Sequence, residues 1–340
     1  MTDLERYRTT LETSKALGLS GQEAMSALPY IVPRYLHYYW DTHWMNSSQS
    51  WAAHRLDSLQ SWNEFAVVWE AARIQGDELQ KLHKRSVVET VAIADRLVAA
   101  GLPHVYDYVM FVLNQKLRQE NPLPLLVSLI GQLHMAEGRA FGMLVDAIAY
   151  LLLNRLVLHA GNQQYRLTDI ELYYRRAPYH DDPYVHGGPE QEETGSWFYN
   201  LAGGLDFTCG DRKSGAVGGI LLRGLRRLDR EGYVSGVQLV LRELVSALRG
   251  PLLDGPGWSL RAAEREVDVP VWHTTRQGLV EKQEPLAMDF HQRRYRFLAD
   301  SDYVRTLGGK EKLVWELLET NQVGGDEVVG LLGYKPKWLA

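Results

Sequence analysis

Cysteine is nearly absent: Cys209 is the single one in 340 residues. No internal disulfide can form, which fits a reducing cytosol. The first twenty residues, polar and charged, lack the apolar core of a secretory leader, so a cytoplasmic location is expected. Long apolar runs are also missing. The most apolar stretch, Phe141 to Leu158, is broken by Asp146, Asn154 and Arg155. A buried helix running into a strand accounts for it better than a membrane span. No HExxH, GxSxG, GxGxxG or GxxxxGK motif occurs. Those absences remove the common zinc-hydrolase, serine-hydrolase and phosphate-loop readings. No fixed-period repeat is visible, although successive helix pairs in the first part would suit one.

The formal net charge of −5 argues against a protein that coats nucleic acid without specificity, while leaving room for a local basic face. Two clusters could make one: Arg212, Lys213, Arg223, Arg226, Arg227 and Arg230, and then Arg293, Arg294 and Arg296. Solvated surface arginines are the competing reading of each.

Residues 1–130 read as helical. Tyr30, Tyr35, Tyr38, Tyr39, Trp40, Trp44, Trp51, Trp62 and Trp69 concentrate there, several at helical spacing. Packing between helices is the reading taken, since aromatic side chains bury large areas; a base-stacking platform is the sharper alternative. Val87 to Ala100 is an amphipathic helix lined by Val87, Val91, Ala94 and Val98, and His104 to Arg118 repeats the pattern. Asn121-Pro122-Leu123-Pro124 then reads as a break and a candidate domain boundary.

From residue 140 the pattern changes. A helix over Phe141–Leu153 precedes strands at Leu156–Leu158 and Tyr165–Tyr174. A polar loop covers Arg175–Thr194. Further strands are expected at Trp197–Tyr199, Leu205–Thr208, Gly219–Leu222, Val269–Trp272 and Arg294–Leu298. Helices are expected at Val237–Leu248, Lys310–Glu319 and Asp326–Leu332. Strands and helices are segregated, not alternating, so the class is α+β.

Two constellations could carry chemistry. His180-Asp181-Asp182 with His186 offers metal-ligand types, but at a spacing that matches no zinc pattern. Glu171, Tyr173, His186 and Tyr199 supply the groups that hydrolysis at an acetal-like carbon requires: a carboxylate to orient water and an aromatic pocket for the leaving group. Glu171 and Tyr173, two apart on a strand, share a face. The residues alone leave open an exposed Glu171 paired to an arginine.

The stretch Leu167-Thr168-Asp169-Ile170-Glu171-Leu172-Tyr173, followed by Asp182-Pro183-Tyr184-Val185-His186-Gly187-Gly188, resembles the alkyladenine (3-methyladenine) DNA glycosylase family, with its Glu-x-Tyr strand and His-containing loop. In the same order, Gly195-Ser196-Trp197-Phe198-Tyr199 resembles its aromatic strand. Ile220-Leu221-Leu222-Arg223-Gly224-Leu225 resembles its apolar-Leu-Arg strand. Thr275-Arg276-Gln277-Gly278-Leu279 and Arg296-Phe297-Leu298 resemble its closing segments. The match covers residues 140–305. It implies a mixed, mainly antiparallel β catalytic domain there, after a helical accessory domain at 1–130 and before a helical extension at 306–340.

The resemblance further implies base flipping in double-stranded DNA and hydrolysis of the N-glycosidic bond, with Glu171 as general base. Tyr173 and His186 would wall the base pocket, and Phe198 or Tyr199 would stack on the base. Arg223, Arg212, Lys213 and Arg276 would meet the DNA, and Leu201 or Leu205 is a candidate wedge. No lysine lies beside Glu171, so a monofunctional enzyme without a lyase step is expected. No metal or organic cofactor and no membrane partner are implied. The sequence departs from the family at Leu201-Ala202-Gly203-Gly204, where a tyrosine-glycine pair presents the wedge, and at Cys209-Gly210, where a discriminating asparagine stands. Small residues at these points suit a bulky modified base, such as the sugar-bearing pyrimidines of phage DNA, excised in antiviral defence. Repair of alkylated or deaminated purines is the alternative. A non-catalytic binding module of the same fold and a nucleoside hydrolase are two more.

Overall fold

The computed structural model describes residues 85–99, 113–114, 116–200, 203–248, 257–280 and 282–339. The aromatic concentration between Tyr30 and Trp69, and Leu201, lie outside them. The chain divides into two compact units, Met1–Lys116 and Leu117–Ala340. Among the described residues no helix is long and apolar enough to cross a membrane.

In the first unit, helix α1 (Val87–Ala99) starts at a reciprocal cap. The Ser86 amide donates to the Glu89 carboxylate, and the Glu89 amide donates to Ser86 Oγ. Val87, Val91 and Ala94 are buried, which is the apolar side expected from the spacing.

The second unit opens on α2 (Pro122–Ile130). The Pro-rich segment read as a break is a helix start: Asn121 caps it, accepting from the Leu123 amide, and proline occupies the first turn, where its missing N–H costs nothing. Helix α3 (Gly138–Tyr150) widens into a turn with π-type bonding at Leu151–Arg155, which feeds strand β1 (Leu156–Ala160). Both polar residues of that turn are buried and matched. Asn154 exchanges two hydrogen bonds with the Val269 backbone. Arg155 donates to the carbonyls of Leu117 and Glu120.

Among the described residues ten strands form one antiparallel sheet, in keeping with the α+β class expected. Its spine is β2 (Gln163–Arg176). One edge of β2 pairs with β6 (Val217–Arg227) from Tyr165 to Arg175. The other edge is shared in succession by β1, by β10 (Arg296–Leu298) and by β3 (His180–Asp181). Beyond β6 lie β5 (Gly204–Cys209) and β4 (Thr194–Asn200), with β7 (Tyr233–Ser235) on the far half of β6. Beyond β1 lies β8 (Trp258–Ala262), and β9 (Trp272–Thr274) flanks β10.

One sheet face is apolar: Ile170, Leu172, Ile220 and Phe297 pack on Val145, Ile148 and Ala149 of α3. Helix α4 (Val237–Ala247) follows β7, and α5 (Pro285–Gln292) precedes β10. After β10, α6 (Ser301–Thr306), α7 (Lys310–Glu319) and α8 (Gly325–Leu332) bury Tyr303, Val314, Leu317 and Val328 in one cluster with Trp272 and Leu298. The residues beyond 305 therefore share a core with β9 and β10.

Candidate functional site

Register places the chemistry. Residues directly opposed on neighbouring strands share a face. Phe198 of β4 opposes Asp206 of β5, Asp206 opposes Leu221 of β6, Leu221 opposes Glu171 of β2, and Glu171 opposes Arg296 of β10. One row thus carries an aromatic, two carboxylates and a guanidinium. Irregularities at Leu167–Ile170 shift the pairing of β2 with β6 just before Glu171. Such bulges re-aim side chains.

Glu171 is fully enclosed. Its Oε2 accepts from Tyr173 Oη at 2.9 Å and Arg223 Nη1 at 3.2 Å, and its Oε1 accepts from the Gln277 amide at 2.8 Å. Arg223 Nη2 also reaches Gln277 Oε1 at 3.4 Å, closing a ring of contacts. Burial raises the carboxyl above its ordinary value, against the pull of Arg223 and the Gln277 amide. Neither description of Glu171 that the sequence left open is complete. It is paired to an arginine and not exposed.

A pocket of about 350 Å³ opens on this face. Tyr173, Tyr184, His186, Asp206, Leu221, Leu279 and Lys282 line it, with Gly203 and Gly204 at one edge. Its volume falls at the lower end for small-ligand pockets, about 300–1,000 Å³. His186 is exposed and lines the pocket. Phe198 shares the face of Asp206, and its ring lies beside Gly188 in the loop that carries His186. Tyr199 opposes Leu205 and is 44% exposed on the other face. Of the two aromatics, Phe198 is the one turned to the pocket side.

Arg276, expected among the DNA contacts, is buried and occupied. It donates to Asp182 Oδ2 at 2.6 Å and Oδ1 at 3.3 Å, and to the carbonyls of Leu172 and Phe290. The rings of Tyr173, Tyr184 and Tyr295 surround its guanidinium at 4.6, 5.5 and 5.7 Å. Its place is beneath the pocket wall, binding the Asp182–Tyr184 loop to β2 and α5, because a buried cation is held only by partners of this kind. Arg212 is exposed and pairs with Glu192 and Glu193, and Lys213 is exposed on the same turn. Arg223 is spent largely on Glu171.

The metal-ligand types have other duties. His180 is buried, with Nδ1 at 2.8 Å from the Tyr174 carbonyl and Nε2 at 2.9 Å from Tyr295 Oη. Asp182 is held by Arg276 and accepts from the Tyr184 amide. Cys209 is buried, and burial pushes its thiol well above the ordinary range.

Asp206 and Gln191 escaped the sequence reading. Gln191 accepts from the Gly187 and Gly188 amides through Oε1 and donates to Asp206 Oδ2 at 3.1 Å through Nε2. Burial lifts the Asp206 carboxyl from 3.8 to about 7. The signal available was a lone acid between Leu205 and Phe207 on an alternating strand, the same pattern that flags Glu171.

Fold and site together define an α+β protein with a pocket lined by Tyr173, Tyr184, His186 and Asp206, and with Glu171 enclosed behind Tyr173. No protein-family model matches the chain, and a search of curated proteins finds no match to it.

Proposed function

We propose that this pocket receives a modified base turned out of duplex DNA and that the protein hydrolyses its N-glycosidic bond, leaving an abasic site. The observation that carries the reading is Tyr173, which lines the pocket together with His186 and donates a hydrogen bond to the enclosed Glu171. In that chemistry the carboxylate orients water and steadies an oxocarbenium-like centre, while the aromatic walls hold the departing base. Gly203 and Gly204 line the pocket where the alkyladenine DNA glycosylase family carries larger residues, and bases of hypermodified phage DNA are the substrates we put first, with removal of them serving antiviral defence. Alkylated or deaminated purines are the repair alternative.

A second reading rests on Glu171 itself. Its side chain is enclosed and accepts three hydrogen bonds, one short of the roughly four a carboxylate can take. A carboxylate so held can be purely structural, and the fold would then bind nucleic acid without chemistry.

Incubation with hypermodified phage DNA and with oligonucleotides carrying damaged purines, followed by an assay for abasic sites, separates the two. The first reading expects base release that falls about 10²–10⁴-fold in Glu171→Gln. Salt-sensitive duplex binding with no base release by the wild-type protein supports the second. Neither release nor binding refutes both.

A further inference from the structure

The row across the sheet carries a second carboxyl, Asp206, and unlike the enclosed Glu171 this one lines the pocket. Asp206 lies two strands from Glu171, with Leu221 between them. At about 4.8 Å per strand, the two Cα atoms are about 10 Å apart. Oδ2 is held by Gln191, whose own carboxamide is fixed by the Gly187 and Gly188 amides, so that its nitrogen faces Asp206. Oδ1 has no partner among the described residues and is not enclosed, which leaves it open to the pocket that Asp206 lines. Gly219 makes room for this side chain: a Cβ there would come within 2.9 Å of the Asp206 carboxylate.

The groups around Asp206 differ sharply from those around Glu171. From β4 it faces Phe198, and from β6 Leu221 and Gly219. From the loops lining the same pocket come His186, Tyr184 and Lys282, and from β2 Tyr173. Cys209 is the titratable group further along its own strand, and it is buried. No ion pair to Asp206 forms among the described residues, in contrast to the Arg223 contact of Glu171.

We infer that Asp206 is the acid of the site: its Oδ1 proton passes to the departing base, and this makes uncharged bases the substrate class. The inference rests on the base-release reading. As the C1′–N bond breaks, its electron pair goes to the base nitrogen, and the Asp206 proton neutralises the leaving group. Water adds its oxygen to C1′ and gives a proton to Glu171. Solvent then returns a proton to Asp206 and takes one from Glu171, so the sum is plain hydrolysis. Protonation assists a neutral base strongly and an already cationic N-alkylated base hardly at all. The raised carboxyl of Asp206 keeps a large part of it protonated at neutral pH.

The test is single-turnover base release by the full chain from three duplexes: one with hypoxanthine, one with glucosylated hydroxymethylcytosine, one with cationic 7-methylguanine. Asp206→Asn is expected to slow release of the neutral bases about 100-fold or more and that of 7-methylguanine less than about threefold. The wild-type rate on neutral bases should fall as pH rises above about 7. Equal losses on neutral and cationic bases, or none on either, overturn the assignment of Asp206 while leaving base release standing. No release by the wild-type protein from any duplex overturns the base-release reading and this inference with it. A ¹³C carboxyl titration of the wild-type protein needs no active variant. A signal titrating near 7 and lost in Asp206→Asn supports the inference, and one titrating near 4 overturns it.

Discussion

Removing the charge of Asp182 should destabilise the second unit by about 3–5 kcal/mol, the cost of leaving one member of a buried ion pair unmatched. Both side chains of the Arg276–Asp182 pair are 0% exposed, and their shortest contact is 2.6 Å. In Asp182→Asn the guanidinium keeps the carbonyls of Leu172 and Phe290 and the three surrounding rings, and the asparagine oxygen can still accept one bond. The loss should therefore sit near the lower figure, about 3 kcal/mol. Arg276→Met reverses the problem, since the Asp182 carboxylate is left with the Tyr184 amide alone. The double variant Arg276→Met/Asp182→Leu removes both charges at similar volume, and should recover most of the stability. Urea midpoints of the wild type, Asp182→Leu, Arg276→Met and their double variant, with slopes compared to verify a common unfolding transition, give the cycle, and Asp182→Asn is measured beside them. Hydrogen exchange of the peptide spanning 169–186 should locate the loosening in the loop behind Tyr184 and His186. Single variants costing under about 1 kcal/mol, or a double variant as unstable as the summed singles, would refute the account of Arg276 as a compensated buried cation.

Two further perturbations report on the frame around the site. His180 lies among Phe141, Phe290 and Tyr295, and burial holds its imidazole at about 4, below the ordinary 6.5. A depressed folded value means that its contribution is complete above pH 6.5 and is lost as pH falls toward 4, about 3 kcal/mol in all. His180→Gln should flatten that part of the stability–pH curve between pH 7.5 and 4.5, and an unchanged slope counts against the assignment. Gly224→Ala should lower the melting temperature, because the new Cβ would meet Tyr303 Oη and come 2.7 Å from Thr168 Oγ1. Tyr303 Oη bonds Asp169 Oδ2 at 3.1 Å, so displacing it disturbs the buried Asp169–Arg296 pair as well. An unchanged melting temperature would mean that Tyr303 can step aside without cost.

What could be read from the sequence was what local pattern decides. Lys310–Glu319 has the expected bounds, and the Tyr165–Tyr174 strand lies inside β2. Each has a clear period over ten or more residues. The Asn121–Pro124 segment does end the preceding helix, at residue 119, but it also starts the next, since proline in the first turn after an asparagine cap is a start. Strand β9 begins at Trp272, not Val269: its partner β10 fixes it, and such non-local pairing is invisible in a short window. Helix α6 is six residues long and starts from Asp300 at φ 76°, too short and irregular for periodicity to report. Arginine is rarely buried, so nothing local marked Arg276 as enclosed.

The same distinction explains why one carboxylate of the row was found and the other missed. Glu171 carries its partner Tyr173 two residues along its own strand, so their shared face is written in sequence. Asp206 acquires meaning only through Leu221, which sets β5 two strands from β2, and through Gln191, fifteen residues earlier in the chain. Once assembled, the two acids sit in unlike surroundings. At Glu171 three donors, the Arg223 guanidinium among them, oppose the burial that raises its carboxyl. Asp206 has one neutral amide and a half-buried, mostly uncharged surround that lifts it to about 7. Pairs of titratable groups held in contrasting environments are how proteins divide base and acid roles at one pH. A binding module has no use for that contrast, and the carboxyl of Asp206 turned into an open pocket would be a cost without a return. The open Asp206 carboxyl is therefore the feature that the base-release proposal accounts for and the binding proposal does not.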